Sequence, residues 1–270
     1  MRVSVVMAIY NDDPRFLEAA IRSVADQSFR DWELVISDDS TKSESAAVIE
    51  RFKKELGDRL VYTHNEPRLG LAPSINQALS RSSGEFIARM DGDDICLPDR
   101  LERQVAYLES HPDVGILGGD IQIITEDSER LTVRHYRCGR REIERTSFIR
   151  NPLAQPTVMM RRSVLDAIGV YDASFKKAED YEFWLRALKR SVVVENLGKV
   201  VLLYRVPKVE ARKRDLPNWK FGLKAKFRHF SWRHPFMSAA GIGLSIALMI
   251  TPARLLDLLY RRDYRTPILF

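Results

Sequence analysis

Cysteine is nearly absent from this sequence. Of 270 residues only Cys96 and Cys138 are cysteines, far apart and without C-x-x-C spacing. That excludes a disulfide scaffold and a Cys-built zinc site, and it suits a reducing compartment. No Gly-x-Gly-x-x-Gly follows the first apolar run, which argues against a dinucleotide-binding Rossmann domain. No Gly-x4-Gly-Lys-Ser/Thr occurs, which excludes a P-loop. Internal repeats and low-complexity segments are missing as well. The first apolar run, Val3 to Tyr10, is short and ends in Asn-Asp-Asp-Pro without a small-residue cleavage pattern, so no signal peptide is expected. What is present is 45% hydrophobic and 30% charged. A sizeable core is therefore available, and the length fits one large α/β domain or two small ones.

The net charge of +6 conceals an asymmetry. Arg205 to Phe270 carries 14 Lys+Arg against 4 Asp+Glu, whereas residues 1–204 carry 29 basic and 33 acidic groups. A slightly acidic body is joined to a strongly basic tail, which points to an anionic surface as the tail's partner.

The body reads as alternating strands and helices. Strands are expected at Val3–Ile9, Trp32–Ile36, Leu60–Thr63, Glu85–Met90 and Val114–Ile124. Helices are expected after Asp13-Pro14, an N-cap followed by a first-turn proline, and at Ser45–Leu56, Ala72–Arg81 and Pro98–Ser110. Beyond Ile124 the pattern loosens. Strands are read near Leu131–Tyr136, Thr157–Arg161 and Val200–Tyr204, and helices near Glu142–Ile149 and Asp180–Arg190. Such alternation implies a mostly parallel sheet covered on both faces, with ligands bound beyond the carboxyl ends of its strands.

Three acidic clusters fall at such places. Asp91-Gly92-Asp93-Asp94 follows an apolar strand directly. Carboxylates two apart on an extended turn can meet at one point, and oxygen-only ligands of this kind suit Mg²⁺ or Mn²⁺. A solvated acidic turn is the plainer reading. Asp38-Asp39-Ser40 ends the second strand, where a carboxylate can accept from a base imide or a ribose hydroxyl, or cap the next helix. Glu179-Asp180 opens a helix that carries Trp184 and Arg186; taken alone, Asp180 reads as a cap and Trp184 as core.

In this order and at these separations, the motifs resemble the family 2 glycosyltransferases with a GT-A fold, over roughly residues 1–205. The resemblance is carried by Val3-Ser-Val-Val-Met-Ala-Ile-Tyr-Asn11, Ser23-Val-Ala-Asp-Gln-Ser-Phe29, Trp32-Glu-Leu-Val-Ile-Ser-Asp-Asp-Ser40 and Gly70-Leu-Ala through Asn76. It continues in Gly84-Glu-Phe-Ile-Ala-Arg-Met-Asp-Gly-Asp-Asp94, Leu97-Pro-Asp-Arg-Leu101 and Glu179-Asp180 with Trp184 and Arg186. It implies an inverting enzyme that moves a sugar from a nucleotide-sugar, expected to be a UDP-sugar, to an acceptor hydroxyl. By the same resemblance Tyr10, beside Ala8 and Asn11, stacks on the nucleobase, Asp39 binds the base and Arg68 approaches the diphosphate. Asp91 holds the ribose or a metal-bound water, and Asp93 binds Mg²⁺ or Mn²⁺, with Asp94 as a second oxygen ligand. Asp180 is the catalytic base, and Glu179, Trp184 and Arg186 lie on the acceptor side as support or packing. Gln155 stands where many members carry His, and no catalytic role passes to it.

The tail lies outside the resemblance. Lys208–Arg233 is basic with interleaved aromatics, and Pro235–Ala253 is a charge-free run of 19 residues. As a helix that run spans roughly 28 Å, just short of the hydrocarbon thickness. Basic residues flank both ends, so an interfacial or re-entrant segment at the cytoplasmic face of the cell membrane is expected, with a core helix docked on the body as the rival. Nucleic acid is not expected, since no nucleic-acid motif accompanies the charge. The function so expected is glycosyl transfer to a glycan or lipid-linked acceptor in surface polysaccharide synthesis. Two rivals are a sugar nucleotidyltransferase, whose Gly-rich phosphate loop is missing, and a non-catalytic subunit that binds nucleotide-sugar or lipid.

Overall fold

A computed structural model of the chain describes residues 1–207 and 216–251. The N-terminal half runs β1 (Val3–Ile9), α1 (Pro14–Ala25), β2 (Trp32–Asp38), α2 (Glu44–Leu56), β3 (Leu60–His64), α3 (Leu71–Arg81), β4 (Phe86–Asp91), β5 (Ile95–Cys96) and α4 (Arg100–Ser110). Then come β6 (Val114–Ile124), β7 (Arg130–Arg134), α5 (Arg140–Thr146), β8 (Met159–Arg161), α6 (Arg162–Ile168), α7 (Glu179–Lys189) and β9 (Val193–Arg205). Two further helices follow, α8 (Leu216–Arg228) and α9 (Pro235–Ile250).

The strands form one sheet in the order β3-β2-β1-β4-β8-β6-β9-β5, with β7 on β6. Its first half is parallel, as the alternating pattern predicts: β1 pairs with β2 and β4, and β2 with β3. The second half corrects the expectation of a mostly parallel sheet. There β8 is antiparallel to both β4 and β6, β5 is antiparallel to β9, and β7 is antiparallel to β6, while β6 and β9 run parallel. The short β8 enters between β4 and β6 antiparallel to both, so the all-parallel pattern ends there.

Apolar β1, β2 and β4 are buried on both faces, which is why they read as continuous hydrophobic runs. Helices α1 and α2 pack on one face, and α3 and α7 on the other. Asp13 caps α1, accepting from the Arg15 amide, and Pro14 is its first residue, as expected. Other boundaries differ. Neither Asp38 nor Asp39 caps α2, whose N-cap is Ser43 without a side-chain bond. Asp180 does not cap α7, which starts one residue earlier behind Ala178 in the left-handed region (φ 55°). The two-residue β5 and the seven-residue α6 are too short for periodicity to reveal. Strand β9 begins at Val193 rather than Val200. Its pairing with β6 skips from Asn196 to Val200 around Gly198 (φ 65°), and that irregularity breaks the alternation.

The tail's helices are docked on the body. Ala225 of α8 shares a small core with Phe148, Phe175, Tyr181 and Leu185. Beneath it Glu182 accepts from Arg186 (3.0 Å) and bonds His229 Nε2 (2.8 Å), a buried cluster that ties α7 to α8. Helix α9 leans on the Phe148 backbone through Gly241, where a Cβ would overlap the Phe148 carbonyl. Helix α9 touches the body but is not a core helix, since it buries only Ser238 and Gly241; among the described residues no helix is long and apolar enough to cross a membrane. The end of the 235–253 run, and Arg254 to Phe270 after it, lie outside the described residues, as does Lys208–Asp215. Gly243 on the same helix meets open space. Gly241→Ala is therefore expected to destabilise the fold by about 1–3 kcal/mol. Gly243→Ala should be neutral or stabilising by up to about 1 kcal/mol, so thermal denaturation of the pair reports the docking of α9.

Candidate active site

In-register parallel pairing sets the site. Ile9 sits level with Asp38 and Ala8 level with Asp91, so the chain leaves β1, β2 and β4 at one edge of the sheet. A pocket of about 330 Å³ opens there, and its walls include Ala8, Tyr10, Asp39, Arg68, Asp91 and Asp93. Six residues singled out in the sequence, from four separate segments, thus line one cavity.

The Arg68 guanidinium lies 3.7 Å from the centre of the exposed Tyr10 ring. Asp39 is buried with its carboxylate already engaged: Oδ1 accepts from Asn65 Nδ2 (2.7 Å) and the Leu69 amide (3.2 Å), and Oδ2 from the Gly70 amide (2.7 Å). It therefore holds the 65–70 loop, and Arg68 with it, over the pocket. Asn11 does not line the pocket; its Oδ1 accepts from the Thr41 and Lys42 amides and staples the loop after β2 to the end of β1.

Asp91 accepts from Arg89 (2.8 Å), whose fully buried guanidinium also donates to the carbonyls of Val6 and Met90. Asp93 is pushed up to about 6, first by burial and then by the charge of Asp91. Asp94 is turned away from the pocket, contrary to its expected role as a second metal ligand. Its Oδ1 accepts from the Arg205 amide, and burial with neighbouring Asp91 and Asp93 raises its pKa. Arg205 also clamps the turn through the Asp93 carbonyl (2.9 Å) and the carbonyls of Thr125 and Glu126.

The structure adds to the pocket Asp12, which the sequence reading passed over, and Gln155, to which it gave no role. Asp12 is pushed up to about 7 by burial and by Asp93 and Asp91, and a Cβ on Gly92 would lie 2.5 Å from its Oδ2. A side chain at residue 92 would therefore press on Asp12 and Ile9. The available signal was an acidic residue leaving β1 beside the strand that ends in Asp91. Gln155 lines the same pocket, and its buried amide nitrogen has no partner among the described residues.

The acidic residues fit a divalent cation shared with a diphosphate. Asp91 and Asp93 bring hard oxygen donors to one pocket, and the upward shifts of Asp93 and Asp12 register negative charge without a counterion. Among the described residues no three acidic, His or Cys side chains form a metal cage on their own. Phosphate and water oxygens would complete the shell.

Asp180 lies on a neighbouring cavity of about 300 Å³, with Asn151 donating to its Oδ2 at 2.9 Å. Burial raises its pKa, Asn151 opposes the rise, and the charge of Asp91 adds to it, so the two cavities share an electrostatic wall. Glu179 is buried beside it, pushed up by burial and by Asp180. The other two acceptor-side residues are packing. Trp184 is fully buried edge-on to Phe183, and Arg186 ties α7 to the end of α6 through the carbonyls of Ile168 and Val170.

The fold and site define a glycosyltransferase. The family model described as glycosyl transferase family 2 matches residues 4–169, and the chain belongs to that family. It is 30% identical over 206 residues to an uncharacterised glycosyltransferase of Methanocaldococcus jannaschii, covering 76% of this chain and 71% of the relative. It is 29% identical over 268 residues to the amylovoran biosynthesis glycosyltransferase AmsE of Erwinia amylovora, covering 96% of this chain and 98% of AmsE. The fold matches S. aureus TarS 1–349 in complex with UDP, with a TM-score of 0.68 and 19% identity over 94% of this chain and 73% of that one. The same fragment was also solved with UDP-GlcNAc, and the chain spans 43% of a longer TarS chain.

Asp12 and Asp93 hold protons more tightly folded than unfolded, because their pKa values are raised. Their contribution to stability is therefore full at about pH 4 and is lost as pH rises through about 6–7. Asp12→Asn is expected to raise Tm of the metal-free protein at pH 7.5 by a few degrees and to shrink the Tm difference between pH 5 and pH 7.5. Thermal scans of both proteins at both pH values check this.

Proposed function

We propose that the chain is an inverting glycosyltransferase that moves a sugar from a UDP-sugar to a hydroxyl of a glycan or lipid-linked acceptor in surface polysaccharide synthesis. The observation that carries the reading is the convergence of Tyr10, Asp39, Arg68, Asp91 and Asp93 on one pocket, with Asp180 on a second cavity and close enough to Asp91 to feel its charge. AmsE, whose name assigns it to amylovoran biosynthesis, supports the polysaccharide setting, and the TarS complexes support a uridine donor.

In this reading the uracil stacks on Tyr10 and meets Asp39, and Arg68 turns toward the diphosphate. Asp91 and Asp93 would hold Mg²⁺ or Mn²⁺, which would supply positive charge against the leaving diphosphate. Asp180 takes the proton of the acceptor hydroxyl as its oxygen bonds the anomeric carbon, and the bond from that carbon to the diphosphate oxygen breaks. One base on the far side of the sugar from the diphosphate gives a single displacement with inversion; a hydrolase would need two flanking carboxyl groups. Arg89 fixes Asp91, and Asn151 orients Asp180.

The setting we propose is the cytoplasmic face of the cell membrane. Trp232 (85% exposed), Phe236 (87%) and Ile250 (78%) present apolar side chains on the α8–α9 unit. Lys220, Lys224 and Arg228 of α8, and Arg233 after it, add basic residues to the same part of the chain. Apolar tips with basic neighbours suit an anionic lipid surface.

Asp180→Asn should lower kcat by about 10²–10⁴ while UDP still raises Tm in the presence of Mn²⁺. Asp93→Ala should lose that metal-dependent rise. A thermal-shift series with UDP and UDP-sugars, followed by turnover assays, separates the two effects; an Asp180→Asn enzyme with undiminished turnover would sink the reading. For the membrane, sedimentation with phosphatidylglycerol vesicles should retain the wild type. A Trp232→Ser, Phe236→Ser double variant should stay in the supernatant.

A further inference from the structure

The cavity on which Asp180 opens is built by the body on one side and by α8 and α9 on the other. Asn151 and Asp180 come from the body, Trp219 and Lys226 from α8, and Leu244 and Leu248 from α9. The family match ends at residue 169, before all of these but Asn151, whereas the match with AmsE runs over 96% of this chain.

Lys226 is the unusual member of this wall. It is only 6% exposed, and no described carboxylate pairs with it. Its ammonium donates to the Gly241 carbonyl (3.1 Å) and to Ser245 Oγ (2.7 Å). An ammonium has three N–H donors, so one remains. Burial alone lowers this group to about 8, and the ordinary remedy for a buried cation is an opposite charge. Arg150 adds a second cation to the wall, while Trp219, Leu244 and Leu248 make the rest of it apolar.

We propose that this cavity is the acceptor site and that it selects an anionic amphiphile. The acceptor's hydroxyl meets Asp180, its phosphate ester pairs with Lys226 beside Arg150, and its alkyl chain lies along Trp219, Leu244 and Leu248. The inference rests on the reading of Asp180 as the base of glycosyl transfer, and it makes the tail a part of the active site. Lys226 is then a specificity residue: it binds the acceptor and takes no part in bond making. A volume of about 300 Å³ accommodates a sugar phosphate and the first carbons of a chain.

Three ligands distinguish the sources of this chemistry: octyl phosphate below its micellar concentration, octyl glucoside, and inorganic phosphate. Each is titrated calorimetrically into the full-length protein, and UDP with Mn²⁺ is titrated separately. Octyl phosphate should bind with 1:1 stoichiometry and at least about tenfold more tightly than either of the others. Lys226→Met should weaken octyl phosphate by about tenfold or more, and Lys226→Arg should keep it within about threefold, both with UDP affinity unchanged. If Lys226→Met fails to bind UDP and has lost its fold, Leu244→Asn replaces it; there the advantage of octyl phosphate over inorganic phosphate should shrink. Unchanged octyl phosphate binding in Lys226→Met overturns the proposal. So does inorganic phosphate binding as tightly as octyl phosphate, or octyl glucoside binding as tightly. A wild type that binds UDP but no octyl phosphate also overturns it and leaves the donor reading intact. One that binds octyl phosphate but no UDP supports it and removes the donor reading.

Discussion

The in-register parallel pairing of β1 with β2 and β4 governs this molecule, because it brings three strand ends to one level. Ile9 opposite Asp38 and Ala8 opposite Asp91 mean that Tyr10, Asp12, Asp39, Asp91 and Asp93 leave the sheet at a single edge. A slip of one residue in either pairing would turn each strand's side chains to the opposite face and scatter these groups. The apolar side chains of β1, β2 and β4 hold the register, since all three strands are buried on both faces by helices.

Gathering carboxylates at one edge has an electrostatic cost, which two arginines reduce. Arg89, with no exposed surface, reaches from inside the sheet to Asp91, and Arg205 holds the backbone of the Asp93-Asp94 turn from the end of β9. The compensation is incomplete, as the raised pKa values of Asp12 and Asp93 record. Burial is the first cause of these shifts and the mutual repulsion of the carboxylates the second, and a bound cation of the kind proposed would relieve the latter.

Asp180 lies on the cavity under α8 and α9. One wall of that cavity belongs to the body and the other to the tail, so in the proposed reading the tail helps to receive the acceptor. The exposed aromatic tips of the α8–α9 unit lie on the same two helices as the cavity's apolar wall. A lipid-borne acceptor approaching along a membrane would meet both.

Much of this was legible in the sequence. Continuous apolar runs ending in Tyr-Asn, Asp-Asp and Asp-Gly-Asp-Asp specified buried strands and a polar edge, and family resemblance supplied roles for Ala8, Tyr10, Asp39, Arg68, Asp91, Asp93 and Asp180. Period and composition determined β1–β4 and α1–α4 because each is long, regular and apolar on the faces it buries. Tertiary structure alone decided the rest, for physical reasons that act at a distance along the chain. The antiparallel entry of β8 and the bulge near Gly198 depend on pairing partners that no local pattern reveals. Asp94 turned from the pocket because the Arg205 amide, 111 residues later, takes its carboxylate. Asp12 and Gln155 joined the site through strand neighbours. Trp184 and Arg186 became packing because α7 buries them against α6. The tail's basic and apolar composition was plain from the sequence, but only the contact of Gly241 with Phe148 and the burial of Lys226 made it a wall of the cavity on which Asp180 lies.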